Sequence, residues 1–127
     1  MADKIVAFIC THNACRSQMA EALAKHAGYR GYQFYSAGSL PEEQVDPNAV
    51  RIMKEKFDID MRSQYTKTIQ DIPAPDIAIS MGCGVTCPYI GKAFDDDWGL
   101  IDPTGKPDEE YRKVIAQIQE QMKKRFG

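Results

Sequence analysis

The chain has 127 residues, 43% hydrophobic and 27% charged, with a formal net charge of -2, the make-up of one globular domain with an ordinary core rather than a disordered chain. That charge gives no bulk electrostatic reason to expect nucleic acid or an anionic membrane as partner, and no apolar run approaches the ~18 residues of a spanning helix. The start MADKIVAFIC is too short and too acidic for a signal peptide, and four cysteines without one predict a reducing cytoplasm, where thiols are catalytic, redox-active or metal-binding more often than structural.

In chain order, KIVAFI (4–9) predicts a buried parallel strand. From Ser17 to Ala27, Met19, Ala20, Leu23, Ala24 and Ala27 recur at helical spacing, and Gly28 ends the run. YQFYSAG (32–38) predicts a second strand. Asp46 and Pro47 make a helix start, with Val50, Met53 and Phe57 on one face. DIAISM (76–81) is a third strand and KAFDDDW (92–98) a weak fourth, with Trp98 and Asp95 to Asp97 as strand-end packing and a solvated turn. In the last helix Asp108 to Glu110 open the segment, Tyr111, Ile115, Ile118 and Met122 form its stripe, and Lys123 to Arg125 close it, as the helix dipole prefers. This alternation predicts an α/β fold: a small, doubly wound sheet of four parallel strands with helices on both faces, in one domain over 1–127.

In such sheets ligands lie beyond the carboxyl ends of the strands, which is where FICTHNACRS (8–17) falls. A loop between a strand and a helix N-terminus presents backbone N–H groups and the positive end of a dipole. A tetrahedral oxyanion fits there, and Arg16 adds a bidentate clamp. The same field favours the thiolate form of Cys10, the nucleophilic form, and Ser17 is placed to donate a hydrogen bond to it. Asn13 tolerates the left-handed backbone of a curled loop. Thr11, His12, Asn13, Ala14, Cys15, Arg16 and Ser17 are therefore candidate oxyanion-binding residues. A bare C-x5-R is a loose pattern, equally met by a strand-end cysteine and a surface arginine. The strand before it and the helix after it favour the anion site.

The segment CTHNACRSQMAEA resembles the phosphate loop of the low-molecular-weight protein tyrosine phosphatases and of the thioredoxin-coupled arsenate reductases that share their fold. The resemblance extends to SAGS (36–39), DPNAV (46–50), DIAISMGC (76–83) and DPTGK (102–106). It implies Cys10 as nucleophile, Arg16 as oxyanion binder and Asp102 as general acid on a mobile loop, with no cofactor. Asp-Pro alone would read as a turn, but a leaving oxygen must be protonated. It also implies that reductases of the group can bind potassium near Asn13, Glu21 and Ser36, and here Tyr65 stands where a carboxylate ligand is expected. Cys15 matches a second loop cysteine, structural or protective, without a catalytic role.

MGCGVTCPY (81–89) separates phosphatase from reductase. A phosphatase needs one cysteine; a reductase must supply two electrons, which thiols give by becoming disulfides. Gly82, Gly84 and Pro88 disfavour a helix, so Cys83 and Cys87 read as a redox pair on a pliable loop. Two inert thiols, or half of a zinc site, are the alternatives, but His12 and His26 are poorly placed to complete zinc. The resemblance implies bulky apolar loop residues and tyrosines after the Asp-Pro in the phosphatases, to hold an aromatic ring; Thr11, Ala14 and Thr104-Gly105 stand here instead, so the pocket is expected to suit a small inorganic oxyanion. The expected activity is reduction of arsenate to arsenite through Cys10, Cys83 and Cys87, with thioredoxin as reductant. A phosphate monoesterase, or a redox or metalloid-binding protein without turnover, are the other readings.

Overall fold

The computed structural model describes residues 3–82 and 93–127. The elements follow the order β1 (Lys4–Cys10), α1 (Arg16–Ala27), β2 (Tyr32–Gly38), α2 (Pro47–Phe57), β3 (Ile77–Ser80), β4 (Asp96–Asp97) and α3 (Asp108–Phe126), with a 3-10 turn at Ile69–Asp71. Local chemistry sets their ends. Gly28 stops α1 in the left-handed conformation, and Asp46 caps α2 by accepting the Asn48 N–H at 3.0 Å, with Pro47 in the first turn. Acidic residues open α3 and basic ones close it.

Among the described residues the strands form one parallel sheet in the order β2-β1-β3-β4. β1 is the hub, pairing along its whole length with β2, so that Cys10 lies opposite Gly38. On its other side Val6 to Ile9 pair with Ile77 to Ser80 of β3. The chain turns from β2 on one side of β1 to β3 on the other, which makes the β1/β3 boundary the topological switch point. A crevice opens there beyond the carboxyl ends of the strands.

β1 alternates between two layers, as a strand with a period of two must. Val6, Phe8 and Cys10 belong to the larger core, with Met19 and Leu23 of α1, Ile52 and Met53 of α2, and Tyr111, Ile115 and Ile118 of α3. Ala7 and Ile9 face a smaller cluster with Ala37 and Ile72, covered by Ile69, Tyr35 and Phe94. Among the described residues that second face is closed by the 3-10 turn rather than by a long helix. An Arg51–Asp108 bidentate pair links α2 to the start of α3.

The fourth strand is shorter than its sequence predicts, two residues instead of 92–98. Aspartates explain it. Asp95 Oδ2 accepts the Ala78 N–H, Asp96 Oδ1 the Asp97 N–H, and Asp97 Oδ1 the Gly99 N–H. Side-chain acceptors thus compete for the amides that would extend a regular ladder. Trp98 is buried against Phe8, with ring centroids 5.5 Å apart. No described helix is long and apolar enough to cross a membrane.

Candidate active site

The loop between β1 and α1 is strapped down by the segment that follows β2. Leu40 donates its N–H to the Thr11 carbonyl at 2.9 Å, Glu42 to His12 at 3.0 Å and Asp46 to Ala14 at 2.8 Å. Three loop carbonyls are therefore occupied by an outer strand of chain. Gly38 lies so close beneath the loop that a Cβ there would stand 2.5 Å from the Thr11 oxygen and 2.7 Å from the Cys10 oxygen. Asn13 carries the left-handed backbone that the curl requires, with φ 50°. α1 begins at Arg16, one residue before the sequence predicts, and no side chain caps its N-terminus. Its first N–H groups have no intrahelical partner, and Cys15 and Arg16 at this end line the same cavity as Cys10.

Around the Cys10 sulfur the polar groups converge. The Asn13 N–H donates to Sγ at 3.2 Å, and Ser17 Oγ lies 2.8 Å away. Asn13 Nδ2 donates to Ser17 Oγ at 2.8 Å. The hydroxyl oxygen is thus an acceptor toward Asn13, which leaves its single proton for the sulfur. Asn13 Oδ1 accepts from the Lys67 N–H and from Gln18 Nε2, which fixes the amide's orientation. Arg16 spends one guanidinium nitrogen, Nη1, on the carbonyls of Met81 (3.2 Å) and Leu100 (2.8 Å). It thereby ties the end of β3 and the segment leading to Asp102 to the loop.

Cys10, His12, Cys15, Arg16, Asp102 and Thr104 line one open cavity of about 440 Å³, together with Ala14, Glu42, Glu43 and Asp46. None of the described lining residues is Phe, Tyr or Trp. The structure so brings Cys10, Arg16 and Asp102 to one space across 92 positions of sequence. Asn13 and Ser17 are fully buried behind the loop, and their side chains serve the sulfur rather than the cavity; Thr11 meets the strap. His12 turns its Nδ1 to the Leu40 carbonyl at 3.1 Å, with Glu42 3.6 Å away. Cys83 and Cys87 lie outside the described residues.

Two thiols in one loop have different surroundings. Burial, reinforced by the Asp46 and Asp102 carboxylates, pushes the Cys15 thiol well above its ordinary range, so it stays neutral. Burial raises the Asp102 carboxyl, but hydrogen bonds from the Thr104 hydroxyl (2.7 Å) and amide (3.1 Å) and the charges of Arg16 and His12 outweigh it. The carboxyl is held below the usual range. Tyr111, on α3, donates to Asp46 and has its phenol pushed up by burial and that carboxylate.

The place expected for potassium does not fit a metal ion. Glu21 and Ser36 are there, hydrogen-bonded to each other, but Lys67 Nζ donates to the Tyr65 carbonyl at 2.8 Å and stands 3.5 Å from Glu21 Oε1. An ammonium of the chain itself occupies the oxygen-lined position. No cluster of three or more His, Cys, Asp or Glu suited to a metal occurs among the described residues. Sequence reasoning missed Lys67, Gln18 and the 40–46 strap. A lone lysine or glutamine has no spacing to betray it; Gly38, inside SAGS, was the one local clue to close backbone packing.

Comparison with known proteins places this geometry in a family. Residues 5–85 match the model of the low molecular weight phosphotyrosine protein phosphatases. The chain is 38% identical over 124 residues to the glutaredoxin arsenate reductase of Synechocystis sp., covering 94% of this chain and 93% of that one. It is 34% identical to the arsenate reductase of Staphylococcus aureus, covering 93% and 92%. A solved arsenate reductase in the phosphate binding state superimposes with a TM-score of 0.82 at 37% identity, covering 95% of each chain. On the family-model match over residues 5–85, which holds the Cys10–Arg16 loop and β1 to β3, the chain belongs to the low molecular weight phosphotyrosine protein phosphatase family.

Proposed function

We propose that the protein is an arsenate reductase. The observation that carries this reading is the cavity itself: a thiol, a guanidinium, a carboxyl and an uncapped helix N-terminus surround a space whose described lining holds no Phe, Tyr or Trp. A small tetrahedral oxyanion is matched there; among the described lining residues no Phe, Tyr or Trp offers a phosphotyrosine ring a stacking partner. Relatives 34–38% identical over nearly the whole chain bear that activity in their names.

In the proposed reaction the Cys10 thiolate attacks arsenic, forming an S–As bond as one oxygen leaves. Ser17 O–H and the Asn13 N–H hold the sulfur, while the Arg16 fork and the first amides of α1 hold the remaining oxygens. Asp102 protonates the departing hydroxide, which leaves as water. Its carboxyl, ionised in the open site, gains that proton as the anionic substrate enters, because nearby negative charge disfavours a second one. Cys83 then attacks the Cys10 sulfur. The S–S bond forms, and the S–As electron pair stays on arsenic, which leaves as arsenite. Cys87 attacks Cys83, releasing Cys10 as thiolate, and an external dithiol reduces the Cys83–Cys87 disulfide.

Thioredoxin is the proposed reductant in the cytoplasm. The Synechocystis relative's name favours glutaredoxin as a second reading. The deciding experiment measures arsenate-dependent NADPH oxidation with thioredoxin and its reductase, with glutaredoxin and glutathione, and, in parallel, hydrolysis of a phosphate monoester. Arsenate-dependent oxidation that Cys10→Ser abolishes supports the reading. Ester hydrolysis without arsenite formation returns the protein to the phosphatases; arsenite binding without turnover makes it a sensor.

A further inference from the structure

We infer that Lys67 is a built-in counter-cation and positioning residue: its ammonium neutralises Glu21 behind the anion loop and thereby holds Asn13, Ser17 and the Cys10 sulfur in register. The inference rests on Cys10 being the nucleophile of the proposed reaction.

Lys67 and Glu21 are 5% and 3% exposed. A buried ammonium is costly unless it is paired and hydrogen-bonded. Here it stands 3.5 Å from Glu21, donates to the Tyr65 carbonyl at 2.8 Å and lies 4.7 Å from the centre of the Tyr65 ring. Glu21 is the junction of three elements. It sits on α1, accepts from Ser36 of β2, and pairs with Lys25 one turn on.

The backbone of Lys67 reaches the loop directly. Its N–H donates to Asn13 Oδ1 at 2.8 Å, and its carbonyl accepts the Gly38 N–H at 2.9 Å. From Asn13 the path runs through Nδ2 to Ser17 Oγ, and from Ser17 Oγ to Cys10 Sγ, each 2.8 Å. The side chain therefore clamps segment 65–67 to α1, and the same residue's amide orients the group that orients the nucleophile. Without the ammonium, Glu21 would face the Tyr65 carbonyl across a buried gap lined by oxygen. A monovalent cation would satisfy both and replace the lost charge, as hard cations take carboxylate and carbonyl oxygens.

The test is the rate at which Cys10 is alkylated by iodoacetate at neutral pH, read by peptide mapping so that other thiols do not contribute. It needs neither arsenate nor reductant, so failure of the arsenate assay and failure of this inference are separate results. Lys67→Met should slow Cys10 alkylation about tenfold in choline chloride, the loss of one good hydrogen bond to a charged sulfur. Potassium or ammonium chloride at equal ionic strength should restore most of the rate. The unaltered protein should react equally in all three salts. If Lys67→Met is unfolded in choline, Glu21→Gln/Lys67→Met removes both charges and should react slowly in every salt. Full reactivity of either variant in choline, or a potassium requirement in the unaltered protein, overturns the inference.

Discussion

Replacing Gly38 by alanine tests the geometry of the anion loop more directly than any change within it. An added Cβ would lie 2.5 Å from the Thr11 oxygen, 2.7 Å from the Cys10 oxygen and 3.0 Å from the Asn13 nitrogen. All three are backbone atoms, and an alanine has no rotamer with which to avoid them. Carbon and carbonyl oxygen rest at about 3.3 Å or more, so loop and strand must part by about 0.8 Å. Position 38 cannot give way easily. Its N–H is bonded to the Lys67 carbonyl, and it faces Cys10 in the parallel ladder. The loop is then the part that moves, carrying Cys10 and Asn13 with it. Overpacking of this kind costs about 1–3 kcal/mol of stability. The larger effect is on catalysis, where misplacement approaching 1 Å costs about 100-fold. Gly38→Ala should therefore unfold at somewhat lower urea, while kcat/KM for arsenate falls about 100-fold and inhibition by inorganic phosphate weakens in step. A folded Gly38→Ala protein with unchanged kcat/KM and phosphate affinity would refute the claim that this contact shapes the cradle.

Three further changes follow from contacts elsewhere in the site. Tyr111→Phe removes a donor from the buried Asp46 carboxylate and should cost about 1–3 kcal/mol in urea denaturation, with a smaller fall in activity through the Asp46–Ala14 bond. Thr104→Val deletes a hydroxyl that holds the Asp102 carboxyl below its ordinary range. Because the folded-state value is the depressed one, that stabilisation is present above the ordinary carboxylate range and disappears as pH falls through the folded value; the stability gap between the two proteins should close as the pH falls below the ordinary carboxylate range. For the proposed relay, Cys87→Ser should trap a Cys10–Cys83 disulfide after one turnover, whereas Cys83→Ser should stop at or before the adduct. Peptide mapping that finds Cys10 bonded to Cys15 in the Cys87→Ser protein would refute the order and return Cys83 and Cys87 to structural thiols.

What was legible in the sequence is what is local. Cys10 and Arg16 stand at a strand-to-helix junction recognisable from KIVAFI and the stripe of α1, and Asp46-Pro47 announces α2 by capping chemistry alone. Asp102 was legible only by resemblance, since an Asp-Pro in a turn has no signature of its own until the fold carries it to Cys10. The fourth strand was misjudged in length because side-chain acceptors of Asp95 to Asp97 compete with the ladder, an effect set by where β3 lies. Lys67 was invisible for a similar reason. Its importance comes from meeting Glu21, 46 positions away, and no periodicity records such a meeting.

Cys10 and Cys15 show how the fold assigns chemistry that residue type leaves open. Both are thiols in the same short loop, both are buried, and both are within reach of the cavity. Cys10 receives the Asn13 amide at 3.2 Å and lies 2.8 Å from the Ser17 hydroxyl, with no carboxylate among those partners. Cys15 sits with the carboxylates of Asp46 and Asp102, whose charges add to burial in keeping it protonated. The placement of those carboxylates has a separate structural cause: Asp46 caps α2 and receives Tyr111, and Asp102 caps the turn at Thr104. Residues that fasten the helices and the turn thus also suppress the second thiol. Under the proposed function Cys10 is then the loop's one nucleophile, and a Cys15 kept protonated is slow to attack it, because thiol attack needs a thiolate. In the proposed relay, a Cys15 held neutral leaves Cys10 open to attack by Cys83 rather than by its neighbour.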